Sequence, residues 1–268
     1  MYKEILTRIK QGHRTMLYPK GAPPALPDRF RGRLRIDAHK CKTACHACSE
    51  ACPVGAIDPE TKTVDLGTCL FCTDCMHACP EEAISFSKDY RLAVRHRRDL
   101  VVTAGQEELN LACELDRRMK KLFGRSLKLR QVSAGGCNAC EADVNVLGTI
   151  GWDLGRFGIQ FVASPRHADG ILVTGPVTKN MELALMKTWD AVPEPKIVIA
   201  TGACAIAGGP YAGHAQVSGG VESLLPVDLF IPGCPPHPLT ILDGLLRLLG
   251  RLEKSGRVQS VRNGLKAE

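Results

Sequence analysis

At 268 residues the chain is long enough for two domains of ordinary size, and 44% hydrophobic with 24% charged residues is the composition of a soluble globular protein. Thirteen cysteines in a chain of this length, with no apolar leader at its start, exclude a small secreted disulfide scaffold. Reduced thiols and a cytoplasmic compartment are therefore expected. No apolar run approaches the length that spans a bilayer, so contact with a membrane is expected only through a partner or through charge.

The net charge of +7 is unevenly spread. Residues 1–37 read as an N-terminal arm, and residues 1–40 hold ten Lys or Arg against three acids. Two more basic runs follow, Lys88, Arg91, Arg95, Arg97, Arg98 and Arg117, Arg118, Lys120, Lys121, Arg125. Docking on acidic subunits, lipid headgroups or nucleic acid would use such runs, and so would ordinary solvated surface. Nucleic acid is not expected, because no aromatic residues interleave with the bases.

Residues 38–90 contain an internal repeat: Cys45-x2-Cys48-x3-Cys52-Pro53-x2-Ala56-Ile57, then Cys72-x2-Cys75-x3-Cys79-Pro80-x2-Ala83-Ile84. Each half has a further upstream cysteine, Cys41 and Cys69. Thiolates are soft ligands, and a doubled run of four cysteines ending in Cys-Pro resembles the two-cluster ferredoxins. In those proteins the fourth cysteine of each run crosses to the other cluster. The resemblance therefore implies one cluster on Cys41, Cys45, Cys48 and Cys79, and another on Cys69, Cys72, Cys75 and Cys52. The prolines remove a backbone donor and stiffen the turn.

The repeat has one flaw. Three cysteine pairs are 27 residues apart, but Cys41 and Cys69 are 28 apart. The first run opens Cys-x3-Cys where the pattern expects Cys-x2-Cys. Either the extra residue is absorbed as a bulge, or Cys41 is a poor ligand and the cluster is labile or three-iron. Structural zinc is the competing reading, but zinc sites use isolated pairs separated by a spacer. His46 and His77 read as supporting neighbours of the ligands rather than as ligands.

Residues 91–127 read as a linker. Within it, 106–123 has the spacing of an amphipathic helix, with Leu109, Ala112, Cys113, Leu115, Met119 and Leu122 on its apolar stripe and Gly124 as its stop. Cys113, the odd cysteine, is expected to be a buried inert thiol.

From 128 to 250 short apolar strands alternate with helices. Strands are expected at 127–132, 159–163, 170–173, 196–200 and 228–231, and helices at 141–150, 180–189 and 239–249. That alternation predicts an open, mostly parallel α/β sheet. Cys137 and Cys140 follow the first strand, Cys204 the fourth and Cys234 the fifth. Ligands of such sheets bind beyond the carboxyl ends of the strands, so four cysteines spread over about a hundred residues converge on one edge. That predicts a single four-thiolate cluster. The loops are glycine- and proline-rich, as in Gly135-Gly136-Cys137, Gly202-Ala203-Cys204 and Gly233-Cys234-Pro235-Pro236. Glycine lets the backbone approach an inorganic core closely. A basic tail, 251–268, closes the chain.

Several stretches carry a closer resemblance: Ser133-Ala134-Gly135-Gly136-Cys137-Asn138-Ala139-Cys140-Glu141, Gly155-Arg156-Phe157-Gly158, Ser164-Pro165-Arg166-His167-Ala168-Asp169, Val173-Thr174-Gly175-Pro176-Val177-Thr178, Gly202-Ala203-Cys204 and Pro232-Gly233-Cys234-Pro235-Pro236. They resemble the small subunit of membrane-bound, energy-converting nickel–iron hydrogenases and the homologous twenty-kilodalton-type subunit of respiratory complex I. Residues 1–100, with Leu17-Tyr18-Pro19 and Arg29-Phe30-Arg31-Gly32-Arg33-Leu34, look like a ferredoxin-like subunit of the same assemblies fused in front. The Cys-x2-Cys at Cys137 and Cys140 favours the hydrogenase side, since the complex I subunit has two adjacent cysteines there. Gly155 stands where the family usually has an acid.

The resemblance implies an α+β two-cluster ferredoxin domain followed by an α/β flavodoxin-like open parallel-sheet domain, together holding three 4Fe-4S clusters. It implies an electron-transfer subunit, not catalytic alone, of a multisubunit oxidoreductase. Its partners would be a nickel–iron hydrogenase large subunit or the forty-nine-kilodalton-like subunit of complex I, membrane-arm subunits, and an electron-donor subunit or ferredoxin. It would sit peripherally on the inner face of the cytoplasmic membrane. The alternative is an equivalent subunit of a complex I-like oxidoreductase that lacks nickel–iron and reduces quinone or another acceptor. Glu141 and Asp143 are candidates for a proton path, and equally for helix N-terminal charge favoured by the dipole. His167, Asp169 and His237 are expected at the cysteine-bearing sheet edge.

Overall fold

The computed structural model describes residues 2–12, 14–42, 44–106, 108–115, 117–123 and 126–252. Gly124 and all but the first two residues of the expected basic tail lie outside them. The first helix, α1 (Tyr2–Gln11), is amphipathic, yet none of its residues is buried. The chain then crosses the later sheet domain. The Met16 N–H donates to the Gly151 carbonyl at 3.0 Å, the Arg156 guanidinium donates to the Met16 and Tyr18 carbonyls, and Tyr18 is buried.

The cysteine repeat folds as a repeat. β1 (Leu34–Ile36) is followed by α2 (Ala47–Glu50), β2 (Ile57–Asp58), β3 (Thr63–Asp65), α3 (Asp74–Ala78), β4 (Ile84–Phe86) and β5 (Val101–Thr103). In each half a short helix carries the middle cysteine, and Cys-Pro then turns the chain into a strand. β1 pairs antiparallel with β4, and β2-β3-β5 form a second antiparallel sheet. The equivalent pairs Ala56-Ile57 and Ala83-Ile84 are all buried. The repetition thus reflects one local packing solution used twice.

The expected helix over 106–123 forms only in its last part, as α4 (Arg117–Phe123). Residues 108–115 are not helical. Their amides are engaged elsewhere: the Ala112 N–H donates to the Ala93 carbonyl at 2.7 Å and the Leu115 N–H to the Leu248 carbonyl at 2.9 Å. A backbone donor spent on another segment cannot serve a helical ladder. Leu109, Ala112 and Leu115 are buried as expected, but from an irregular chain. Cys113, expected to be buried, is exposed, and Leu122 is exposed as well.

The rest is a five-stranded parallel sheet: β6 (Leu127–Ser133), α5 (Ala139–Val146), β7 (Ile159–Phe161), β8 (Gly170–Thr174), α6 (Lys179–Asp190), β9 (Ile197–Thr201), α7 (Ala203–Ala207), β10 (Leu229–Ile231) and α8 (Pro238–Leu248). The strand order β7-β6-β8-β9-β10 is the flavodoxin-like 2-1-3-4-5 arrangement. β8 and β9 are buried along their whole length, as central parallel strands covered on both faces must be.

Side chains alternate between two cores, following the two-residue period of a strand. Leu127, Leu129, Leu172, Ile197, Ile199, Leu229 and Ile231 face α8, with Leu239, Leu242, Leu245 and Leu246. Val132, Ile171, Val173, Val198, Ala200 and Phe230 face the other way and share one core with Leu66, Leu100, Cys69 and Cys75 of the cysteine repeat. The two halves are also joined through the backbone, since Val94 and Phe230 exchange bonds of 3.0 and 2.9 Å. Among the described residues no helix is long and apolar enough to cross a membrane.

Candidate metal centres

The structure gathers the twelve cysteines into three sets of four. Cys41, Cys45, Cys48 and Cys79 line one cavity, together with Lys42, Ile57 and Pro80. Cys52, Cys69, Cys72 and Cys75 line a second, with Pro53, Leu70 and Phe86. Cys52 and Cys79 are therefore exchanged between the two repeats.

Backbone donors reach the sulfurs at matching positions. The Ala56 N–H lies 3.2 Å from Cys52 Sγ, and the Ala83 N–H lies 3.3 Å from Cys79 Sγ. The Phe71 N–H lies 3.3 Å from Cys69 Sγ. Ala44 and Phe71, at equivalent places in the two halves, both take left-handed backbone, with φ of 62° and 54°. Such conformations are costly for non-glycine residues and persist where the surroundings enforce them. The longer first loop does not expel Cys41. Lys62 Nζ donates to the Cys41 carbonyl at 3.0 Å and pins the loop. His77 is exposed, and His46 Nε2 lies 3.7 Å from Glu60.

The third set sits beyond the carboxyl ends of β6, β9 and β10. Cys137 and Cys234 are exposed, while Cys140 and Cys204 are half-buried. Two glycines keep room for the sulfurs. A Cβ at Gly202 (φ +92°) would lie 2.6 Å from Cys140 Sγ, and one at Gly209 (φ +57°) would lie 2.7 Å from Cys204 Sγ. No L-residue side chain suits either position.

The crowded thiols raise one another, chiefly within the same sets. Burial pushes Cys69 up to about 12, helped by the neighbouring charges of Cys75, Cys52 and Cys72. Burial pushes Cys75 up to about 11, with Cys72, Cys52 and Cys48 of the first set adding to it. Cys204 is pushed up to about 11 by burial, then by Cys234 and Cys137. Burial also raises Cys140, followed by the charges of Glu141, Cys204, Cys234 and Cys137. Four crowded thiols ionise together only around a strongly cationic core. Cys234 is raised by burial, then by Cys137 and by Cys72.

The donor set, four thiols lining each of two cavities, suits an iron–sulfur cluster. Among the described residues no group of three or more His, Cys, Asp or Glu is drawn together closely enough for a single ion.

Glu141 lies in the first turn of α5, buried, with Ser133 Oγ and Thr174 Oγ1 each donating to its Oε1 at 2.6 Å. Burial works to raise its pKa, but the two hydroxyls outweigh it and hold the carboxylate below the usual range. Asp143, half-buried on the same helix, is raised by burial. His167 and Asp169 are not at the cysteine edge. They precede β8, at the amino end of the sheet, where the Lys128 N–H donates to Asp169 Oδ2 at 2.6 Å. His237 does lie just beyond β10. It accepts from the Leu239 N–H at 3.1 Å and meets Phe30 and Trp152 edge-on. The sequence pointed to none of Lys62, Gly209 or the Phe30–His237–Trp152 contact, because each acts through partners distant in the chain.

The family model described as NADH ubiquinone oxidoreductase, 20 Kd subunit, matches residues 137–248. Formate hydrogenlyase subunit 7 of Escherichia coli is 43% identical over 134 residues, 50% of this chain and 52% of that protein, so the chain spans about half the length of this relative. A probable membrane-bound hydrogenase subunit of Pyrococcus furiosus is 41% identical over 50% of this chain and 80% of its own length. A subunit of the NADH-quinone oxidoreductase of Heliobacterium modesticaldum is 39% identical over 47% of this chain and 72% of its own. With the cysteine set at the sheet edge and the match that spans it, the chain belongs to the family of NADH ubiquinone oxidoreductase 20 Kd subunits.

Proposed function

We propose that this chain is the electron-relay subunit of a membrane-associated oxidoreductase complex, with three 4Fe-4S clusters held in single file. Cys41, Cys45, Cys48 and Cys79 would hold the outermost, Cys52, Cys69, Cys72 and Cys75 the middle one, and Cys137, Cys140, Cys204 and Cys234 the innermost. Such clusters, when bound, supply one-electron carriers whose potential responds to hydrogen bonds, burial and charge. The chain's own part is to fix spacing, exclude water and set that environment. The N–H groups of Ala56, Phe71 and Ala83 donate to sulfur, which favours the more negative, reduced state.

The observation that carries this reading is the exchange of Cys52 and Cys79 between two cavities, with Gly67, two residues before Cys69, set against Ile206 of α7, two residues after Cys204. Disulfides or isolated zinc knuckles have no use for that exchange. The innermost cluster would face a partner subunit that carries the reaction itself, since every Cys-x2-Cys pair of this chain is engaged in a cysteine set. The hydrogenase-type relatives and the Cys137-x2-Cys140 spacing favour a nickel–iron large subunit as that partner. The NADH-quinone oxidoreductase relative supports the second reading, a complex that lacks nickel–iron and reduces quinone or another acceptor. Membrane-arm subunits would hold the chain at the inner face of the membrane, and a donor subunit or a ferredoxin would feed the outermost cluster.

The test is anaerobic isolation of the intact complex, with iron analysis and electron paramagnetic resonance. About twelve irons per chain and three reducible paramagnetic centres are expected. Colourless material holding one or two zinc ions sinks the reading. Hydrogen uptake, together with two Cys-x2-Cys pairs in the partner, separates the hydrogenase from the quinone-reducing alternative.

A further inference from the structure

One ion pair lies where the two halves meet, between cysteine-bearing segments, and the relay as described does not use it. Asp65 ends β3, and its backbone carbonyl accepts from the N–H groups of Thr68 and Cys69 at 3.2 and 3.0 Å. Its Oδ1 accepts from the Gly67 N–H at 2.9 Å and from Arg97 Nη1 at 2.7 Å. Its Oδ2 accepts from Thr68 Oγ1 at 2.7 Å and from the second guanidinium nitrogen of Arg97. Both side chains are about three-quarters covered, with 23% and 26% left exposed. On the face where a side chain would stand, Gly67 meets both Arg97 and α7. A Cβ at residue 67 would lie 2.8 Å from Arg97 Cζ and 2.9 Å from Ile206 Cγ2. Gly67 is two residues before Cys69, and Ile206 is two residues after Cys204. The guanidinium is therefore wedged where the Cys69 loop meets the Cys204 helix.

We propose that Arg97 is a positioning residue for the gap between the middle and innermost centres, acting both as a strut and as a fixed positive charge; this rests on the relay reading above. The planar fork engages both oxygens of Asp65, and so holds the Cys69 loop at one distance and angle from α7. A lysine cannot reproduce that geometry. A partly covered cation between two centres favours the reduced form of each. The outermost centre, at the far side of the repeat, feels little of it.

The experiment uses the intact complex carrying Arg97→Gln, Arg97→Lys or Gly67→Ala. Iron content and paramagnetic signals come first, because a parent complex without them overturns the relay reading and the strut with it. With full iron, Arg97→Gln is expected to shift the reduction equilibria of the middle and innermost centres about tenfold toward the oxidised form, about 59 mV for a one-electron couple. It is also expected to alter their mutual magnetic interaction and to leave the outermost centre unchanged. Arg97→Lys restores the potentials but not the magnetic interaction. Gly67→Ala keeps the arginine but displaces it, and reproduces Arg97→Gln even where that variant loses iron. Potentials and magnetic interaction equal to the parent's in both Arg97→Gln and Gly67→Ala overturn the proposal.

Discussion

The two halves of this chain hold their cysteines in opposite ways. In the repeat, two of the cysteines are part of the core: Cys69, and Cys75 on α3, are buried with Leu34, Ile57 and Ile84 of the short strands β1, β2 and β4. In the sheet domain the core is complete without them. β8 and β9 are fully buried, α8 covers one face, and Cys137 and Cys234 stand exposed at the strand ends. The difference teaches that metal is expected to be a folding partner in the first half and a passenger in the second.

Removing iron is the most severe way to break that comparison. Chelation under reducing conditions is expected to abolish slow hydrogen exchange across 34–86 while amides of β6, β8 and β9 stay protected; equal loss in both halves would refute the contrast. Next, Cys204→Ser is expected to remove about four of the twelve irons and leave the far-ultraviolet spectrum intact. Loss of all three clusters in that variant would show that the halves fold as one metal-dependent unit.

Leu172→Ala, at a fully buried position of β8, is expected to cost about 2–5 kcal/mol with the iron count unchanged, measured by chemical denaturation. Tyr18→Phe takes from buried Asp243 the hydroxyl that donates to it at 2.9 Å, and a cost of about 1–3 kcal/mol follows. The smallest effect concerns pH. Burial between Phe30 and Trp152 lowers His237 below its usual 6.5. The folded state therefore favours the neutral ring. Its contribution is complete above about pH 6.5 and fades as pH falls through the lowered value. Stability measured against pH should flatten in His237→Gln, and an unchanged slope below pH 6.5 would dismiss the idea.

Much of this was legible because the signals are local. The five strands and the helices α5, α6 and α8 of the sheet domain match the apolar runs to within a few residues, while α7, of five residues, was not expected. The doubled cysteine run foretold which cysteines share a cavity, including the exchange of Cys52 and Cys79. The helix expected over 106–115 failed because periodicity records which residues are buried, not which backbone groups pair. Leu109, Ala112 and Leu115 do face the core, but the Ala93 and Leu248 carbonyls had already taken two of the amides. Cys113 was misplaced by the same error. His167 and Asp169 were misplaced for another reason: adjacency to a strand does not say which end of the sheet a loop occupies until the strand's direction is known.

What the sequence by itself determined is the parallel sheet, since that rests on apolar runs alternating along one stretch of chain. What only the tertiary structure decided is how the two halves meet, with Gly67 of the Cys69 loop against Ile206 of α7 and Arg97 clamped on Asp65 beside them. That arrangement depends on Val94 joining β10 and on one shared core. Contacts between residues more than a hundred positions apart leave no period to read, and are fixed only when the two surfaces close on each other.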